Sequence, residues 1–398
     1  MRDAPTPAEE PTLTERWQTM LSGAVTLRRE LHRRPEVAWQ EEQTAATIRR
    51  ELTQAGIDWR PCAGTGTVAT LAPDAPGRHL ALRADIDGIP VTEATMAPWA
   101  SQHDGVMHAC GHDGHTAALF AASWWLKHQE SQLPGPVSLL FQPAEEGGHG
   151  AREMIADGAL EGVDAIFGWH NWPAIRFGQA VCPDDAVMAA NSTFHIRLTG
   201  RGGHASQPEE CRDPVLAASA VTVALQQVVS RRLPAQRAAV LSVTNIEAAN
   251  PETVIPDSAY LSGSIRVSAT AQRTTVEEAL TDVAQSTARA YGVTADVEIR
   301  PRYGATVNHS TQAGEMRAAL AEELGAGWHS AGTLVPIMAS EDFSYYLGEV
   351  PGAFAVIGAD DGQGHDVPCH SPRYDFNDRL LPPVARLLTR LAGVPAPT

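Results

Sequence analysis

Apolar residues recur at helical spacing over 14–32, where Trp17, Met20, Leu21, Val25, Leu27 and Leu31 mark one face and Arg34-Pro35 ends the run. A second helix is predicted over 40–55, closed by Gly56. Short strands are predicted over 67–71 and 79–83, separated by Pro73-Asp74-Ala75-Pro76-Gly77. A helix over 115–128, a continuous apolar strand over 137–141, a helix over 152–157 and a buried strand over 165–169 follow. Strands alternating with helices predict an α/β domain with a mostly parallel sheet, whose active site gathers at the carboxyl ends of the strands. Glu145-Glu146 and His170 stand just past two such predicted ends.

The pattern then changes. A strand over 193–199, a glycine-rich turn over 200–206, a helix over 214–230, strands over 239–246 and 259–267, a helix over 276–291 and a strand over 295–300 follow in order. That succession, β-α-β-β-α-β, reads as a ferredoxin-like α+β insert. Afterwards the first pattern resumes, with a helix over 311–324, a strand over 353–357 and a helix over 382–391. The predicted organisation is a discontinuous catalytic domain, 1–189 and 303–398, interrupted by a smaller domain over 190–302.

Composition narrows the class. At 398 residues the chain is long enough for two domains. Its 43% hydrophobic and 19% charged content fits a globular enzyme and not a disordered chain. A formal net charge of −17 argues against nucleic acid or an anionic membrane as partner, since both need a basic face. The five cysteines, at 62, 110, 182, 211 and 369, form no disulfide framework and fit a reducing compartment. The N-terminal stretch 1–11 is polar and Pro-rich, without the apolar core of a secretory signal, so a cytoplasmic location is expected.

The densest chemistry lies in His108-Ala109-Cys110-Gly111-His112-Asp113-Gly114-His115. Thiolate and imidazole suit zinc and its neighbours, and glycines let the backbone bend so that side chains converge. With no CxxC pair anywhere, a closed structural zinc site is disfavoured, and an open catalytic site that recruits further ligands is the better reading. Cys110 and His112 are the first candidates, whereas His108 and His115 are read as structural. In Glu145-Glu146, between Pro143 and Gly147-Gly148, one carboxylate can hold metal while the other serves as general base. His149 beside them is read as exposed. His170 and His370 would supply missing donors for two metals. His204, in Gly200-Arg201-Gly202-Gly203-His204-Ala205-Ser206, and Arg266, at the end of a strand, could bind a substrate carbonyl and carboxylate when the domains close.

Taken together these segments resemble the M20 metallopeptidase family, most closely its M20D amidohydrolase branch of aminoacylases, hippurate hydrolases, auxin-conjugate hydrolases and N-acetyl-diaminopimelate deacetylases. The matching pieces are Leu31-His32-Arg33-Arg34-Pro35-Glu36, Leu82-Arg83-Ala84-Asp85-Ile86-Asp87, 107–116, 141–148, His170-Asn171-Trp172-Pro173, 200–208, Val254-Ile255-Pro256-Asp257, Ser340-Glu341-Asp342-Phe343 and 370–378, in the family's order. The resemblance implies a catalytic domain with an inserted lid, and two divalent ions (Zn, Mn, Co or Ni) held by Cys110, His112, Glu146, His170 and His370. It makes Glu145 the general base, His204 the lid histidine that polarises the scissile carbonyl, and Arg266 the receiver of the substrate's carboxylate. The implied reaction is hydrolysis of an N-acyl-L-amino acid to a carboxylate and a free amino acid, by a homo-oligomer joined through the lid. The chain departs from the family at Thr253, where the pattern Asn-Val-Ile-Pro has asparagine, and in the glycine-free loop Glu247-Ala248-Ala249-Asn250-Pro251. These departures bear on substrate choice. Competing readings are a dipeptidase on the same fold, a thiol hydrolase using Cys110, and a non-catalytic metal-binding relative. The intact Glu145 counts against the last, because binding alone needs no base.

Overall fold

The computed structural model describes residues 12–397, and the signal-free reading of 1–11 concerns residues outside them. The chain forms two compact units. The first runs through Asp185 and resumes over Asn308–Thr333 and from Tyr346 onward; the second comprises Ala186–Val307 and Leu334–Tyr345.

The first unit opens with α1 (Leu13–Arg33), started by a reciprocal cap in which Thr12 and Glu15 satisfy each other's backbone N–H. Of its predicted face, Trp17, Met20, Leu27 and Leu31 are buried, whereas Leu21 and Val25 are half-buried and Ala24 is buried in addition. Next come α2 (Glu42–Gln54), β1 (Trp59–Cys62), β2 (Gly66–Leu71), β3 (Leu80–Asp85), α3 (His112–His128), β4 (Val137–Gln142), α4 (Gly150–Ala156), β5 (Ala165–Arg176) and β6 (Ala180–Val181). The edge strand β1 escapes the sequence reading because its first three residues are exposed and one is proline, so it shows no apolar alternation.

The second unit carries β7 (Ala186–Met188), β8 (Ala190–Thr199), β9 (Gly203–His204), α5 (Pro214–Arg232), β10 (Ala239–Glu247), β11 (Val254–Ile255), β12 (Ser258–Val267), α6 (Arg273–Ala290), β13 (Thr294–Pro301) and β14 (Thr306–Val307). Its main sheet, in the order β10-β12-β8-β13, is antiparallel throughout, as the ferredoxin-like succession requires. Phe194, Ile196, Leu198, Leu261 and Ile265 share a core with Ala217, Val221 and Leu225 of α5 and Val276 and Leu280 of α6. The chain then supplies α7 (Ser310–Leu324), α8 (Ser344–Glu349), β15 (Gly352–Asp360) and α9 (Leu381–Leu391). Among the described residues no helix is long and apolar enough to cross a membrane.

The sheet of the first unit has the order β1-β2-β4-β3-β5-β15-β6. Its central strands β4, β3, β5 and β15 run parallel, with antiparallel partners outside them, so the class is the expected α/β. One detail of register decides where chemistry can occur. β3 stays paired with β4 up to Asp85↔Gln142 but leaves β5 after Leu82↔Phe167. β5 continues beside β15 through Trp172. The carboxyl ends of β3 and β5 therefore part, and the connections leave them in opposite directions, which opens the crevice where α/β sheets bind ligands. The expected strand end at Trp169 is corrected by this register: His170 lies within β5, paired with Val356, because β15 carries the ladder past the point where β3 departs.

Candidate metal centre

Four segments of the first unit converge on that crevice. Gly111 caps α3 in the left-handed region at φ 93, so Cys110 stands just before the helix and His112 begins it. A Cβ on Gly111 would meet Asn171 Oδ1 at 2.4 Å and the Tyr374 hydroxyl at 2.5 Å, so only glycine fits. The loop after β4 presents Glu145 and Glu146; the Ala144 N–H donates to Glu41 Oε1 (2.9 Å) and the Glu146 N–H to Asp87 Oδ2 (2.9 Å). β5 brings His170. The C-terminal loop brings His370, at φ 66, with its N–H donating to the Ala109 carbonyl at 2.7 Å.

The donor atoms form overlapping clusters, in each of which they lie within 4.8 Å of one another. Cys110 joins His112 and His170 in one triad and Glu146 and His370 in another, so its sulfur is common to both. Within them Cys110 Sγ lies 3.3 Å from His170 Nε2, and Glu146 Oε1 lies 3.0 Å from His370 Nε2. Glu145 meets His112 and Glu146 in a third cluster. The structure thus brings together Cys110, His112, Glu145, Glu146, His170 and His370 from four separate stretches of sequence.

Second contacts prepare the imidazoles. His170 Nδ1 donates to the Asn171 carbonyl at 2.6 Å, which leaves its Nε2 lone pair facing Cys110. His112 Nδ1 is held by Asp87 Oδ1 at 3.1 Å, and its Nε2 is buried without a hydrogen-bond partner, 3.8 Å from Asp85 Oδ2. An orphaned buried nitrogen beside carboxylates and a thiol is what a cation would satisfy, so this donor set fits a divalent metal. Asp87 spans two donor-bearing segments, one oxygen on His112 and the other on the Glu146 backbone. Asp85 is clamped by Arg83 (2.6 Å) and His115 Nδ1 (2.6 Å).

The electrostatics agree. Burial, with the neighbouring His115 adding to it, pushes His170 down to about 3, so its ring is neutral and its lone pair is free to act as a donor. Burial also opposes charge on His112, but Asp85 and then Asp87 outweigh it and lift the ring to about 10. Burial raises Glu146, yet His370 and His112 outweigh it and bring it down to about 2. The Cys110 thiol is pushed far up by the Cys369 thiol, then by burial, then by Glu146 and Glu145. A field that holds a proton on both His112 and Cys110 is one that attracts a cation, and a bound cation reverses both shifts.

Of the two histidines read as structural from the sequence, His115 joins Asp85 and His112 in a further donor cluster, whereas His108 joins none among the described residues. Burial lowers His108 to about 4. His115 engages Asp85 through Nδ1 and Asn171 through Nε2 (2.7 Å). His149 is half-buried, not exposed, at the left-handed N-terminus of α4. Motif reading assigned no role to Asp85, Asp87 or Asn171. Their signal was weak: carboxylates closing an apolar strand, and an amide following a candidate ligand.

His204 and Arg266 lie in the second unit. His204 is exposed on β9, paired with Val254 of β11, and the Ala205 N–H donates to the Thr253 carbonyl at 2.9 Å. Its Nδ1 accepts the Ser206 N–H at 3.1 Å and contacts the Ser206 hydroxyl at 2.8 Å, so a neutral ring carries its hydrogen on Nε2. Arg266, half-buried on β12, donates to Ser340 Oγ at 2.8 Å.

Comparison with known proteins adds a second line of argument. Residues 81–393 match the family described as Peptidase family M20/M25/M40. An N-acetyl-L-cysteine deacetylase of Bacillus subtilis is 38% identical over 368 residues, 91% of this chain and 86% of the relative. A hippurate hydrolase of Campylobacter jejuni is 35% identical over 370 residues, 92% of this chain and 94% of the relative. A crystal structure of a B. subtilis dinuclear metal-binding peptidase of the M20 family superposes with a TM-score of 0.79 at 31% identity, covering 94% of this chain and 98% of that one.

Proposed function

The chain belongs to peptidase family M20/M25/M40, and from that premise we propose that it is a metal-dependent amidohydrolase cleaving N-acyl-L-amino acids to a carboxylate and a free amino acid. The observation that carries this reading is the pair of donor triads sharing Cys110, with Glu145 beside them. Cys110, His112 and His170 would hold one divalent ion, Cys110, Glu146 and His370 a second. Thiolate, imidazole and carboxylate together suit Zn, Mn, Co or Ni. When bound, such ions supply an acidified water and a polarised carbonyl.

The side chains do the rest. Glu145, 5% exposed, takes the proton of the attacking water and returns it to the leaving nitrogen. His170 and His112 stay oriented through Asn171 and Asp87. We assign His204 and Arg266, on the second unit, to the substrate's carbonyl and carboxylate. With Nδ1 accepting the Ser206 N–H, His204 keeps an Nε2–H to donate, and Arg266 has a planar fork suited to a carboxylate. We also assign a homo-oligomer joined through this unit, where the edge strand β10 exposes Val240 and Ile246. A monomer by light scattering would overturn that assignment.

The test of function is direct. Protein purified without chelator should contain up to about two transition-metal ions per chain. It should hydrolyse acetyl- and benzoyl-amino acids faster than unblocked dipeptides, and lose activity on chelation. Full activity in metal-free protein sinks the mechanism; a preference for dipeptides sinks the substrate class.

A further inference from the structure

Cys110 has a second thiol for a neighbour. Cys369 Sγ lies 3.9 Å from the Cys110 carbonyl and 4.0 Å from Asn171 Nδ2. The bond from the His370 N–H to the Ala109 carbonyl, at 2.7 Å, holds the backbones of 109–110 and 369–370 side by side. Cys110 and Cys369 thus stand opposite each other on adjoining backbone segments, with the Cys369 sulfur against the Cys110 main chain. Cys369 enters no donor cluster among the described residues, so the metal reading leaves it without a role. It is half-buried while the other four cysteines are buried, so it is the thiol an oxidant reaches first. Cys62, Cys182 and Cys211 each rest against a backbone carbonyl, as small buried residues.

We propose that Cys110 and Cys369 are a disulfide-forming pair, closed by a hydroperoxide, and that the closed form cannot hold the metal centre. This rests on the assignment of Cys110 as shared ligand. In the first step the Cys369 thiol is oxidised to a sulfenic acid as the peroxide O–O bond breaks and one water leaves. In the second, the Cys110 sulfur attacks the sulfenic sulfur, the S–O bond breaks, and the departing oxygen takes up a proton as a second water. Two thiols and one hydrogen peroxide become one disulfide and two waters, with two electrons passed to the peroxide. A sulfur bonded to Cys369 is no longer a thiolate, so both triads lose their common member. Metal and disulfide exclude each other, and bound metal protects the pair.

The experiment compares metal-depleted and metal-loaded full-length protein treated with hydrogen peroxide near neutral pH. In the depleted protein, intact mass should fall by about 2 Da. Titratable thiols should drop by two from five, and peptide mapping should join 110 to 369. The oxidised protein should take up no zinc until treated with dithiothreitol. Loaded protein should react roughly 10-fold or more slowly. Cys369→Ser should take up zinc like the parent yet form no internal disulfide, and Cys110→Ser should form none either. A different linked pair, or direct passage of Cys110 to sulfinic acid with both thiols unlinked, overturns the proposal. The arms separate the two ideas: reduced parent that binds no zinc refutes the metal reading, while the mass and mapping data alone decide the disulfide.

Discussion

Glu145 and Glu146 are adjacent, yet their surroundings differ. Glu146 puts its carboxylate on His370 and its backbone N–H on Asp87, whereas Glu145 faces His112 and Glu146 within the third donor cluster. Glu145→Gln should keep fold and metal and lose a factor of roughly 10² or more in kcat. Glu146→Gln should lower metal content instead. Metal analysis beside initial rates separates them; a Glu145→Gln enzyme with most of its kcat moves the base elsewhere. Arg266 poses a similar question in the second unit. Its bond to Ser340 fixes the guanidinium on one side. If Arg266 receives the substrate carboxylate, Arg266→Ala should raise KM and erase the preference for free acids over their amides. The loss should correspond to roughly 1.5–3 kcal/mol, a charge-assisted contact. A lower melting temperature with the acid preference intact would make Arg266 a structural residue.

At the scale of elements, the start of α3 holds the site together, and two glycines make it possible. Gly111 supplies the left-handed cap, and Gly114 lets the helix lie against Phe376, since a Cβ there would meet the ring at 2.3 Å. Gly114→Ala should therefore destabilise the protein by roughly 1–3 kcal/mol through overpacking. Gly23, exposed in α1 with nothing within 4 Å of an added Cβ, offers the opposite case. Gly23→Ala should stabilise by roughly 0.5–1 kcal/mol through helix propensity. Thermal melts of the two variants should move in opposite directions, and a shared direction would contradict the packing argument. The sequence showed a glycine-flanked Cys/His segment and a helix from 115. It did not show that the helix begins at His112, because Gly111 as a left-handed cap and Gly114 as a packing contact depend on residues 171, 374 and 376.

Across the whole chain, a buried charge network joins α1 to the C-terminal segment. Arg28 bonds Asp378 at 2.7 Å and lies 3.7 Å from Asp113 and 3.5 Å from Asp375. His32 Nδ1 meets Asp113 at 2.8 Å and its Nε2 is 3.5 Å from Glu93. Burial opposes charge on His32, but Asp113 and then Glu93 outweigh it and raise it from 6.5 to about 9. Asp113 is held below its ordinary range: burial works upward, and His32, His108 and Arg28 outweigh it. The sign follows. The raised His32 contributes its full stability below pH 6.5 and loses it as pH climbs through about 9. The depressed Asp113 contributes above its ordinary value of 3.8 and loses that contribution as the solution becomes acidic. Near pH 6 the His32 charge is worth on the order of 3 kcal/mol. His32→Asn should therefore melt well below the parent at pH 6, and the gap should shrink by pH 10. A gap independent of pH would mean that His32 matters by packing alone.

What the sequence by itself determined is whatever repeats locally or sits in a short motif. The apolar face of α1, the α/β alternation, the β-α-β-β-α-β insert and the donor residues Cys110, His112, Glu145, Glu146, His170 and His370 were all legible, because periodicity and donor chemistry are properties of neighbouring residues. The tertiary structure alone decided which atoms meet. Where β3 parts from β5, why His170 lies inside a strand, which imidazole nitrogen faces inward, and how Asp85 and Asp87 hold the site were not legible. Each depends on strands and loops distant in sequence, and a side chain's contacts are fixed only when packing brings those partners within reach.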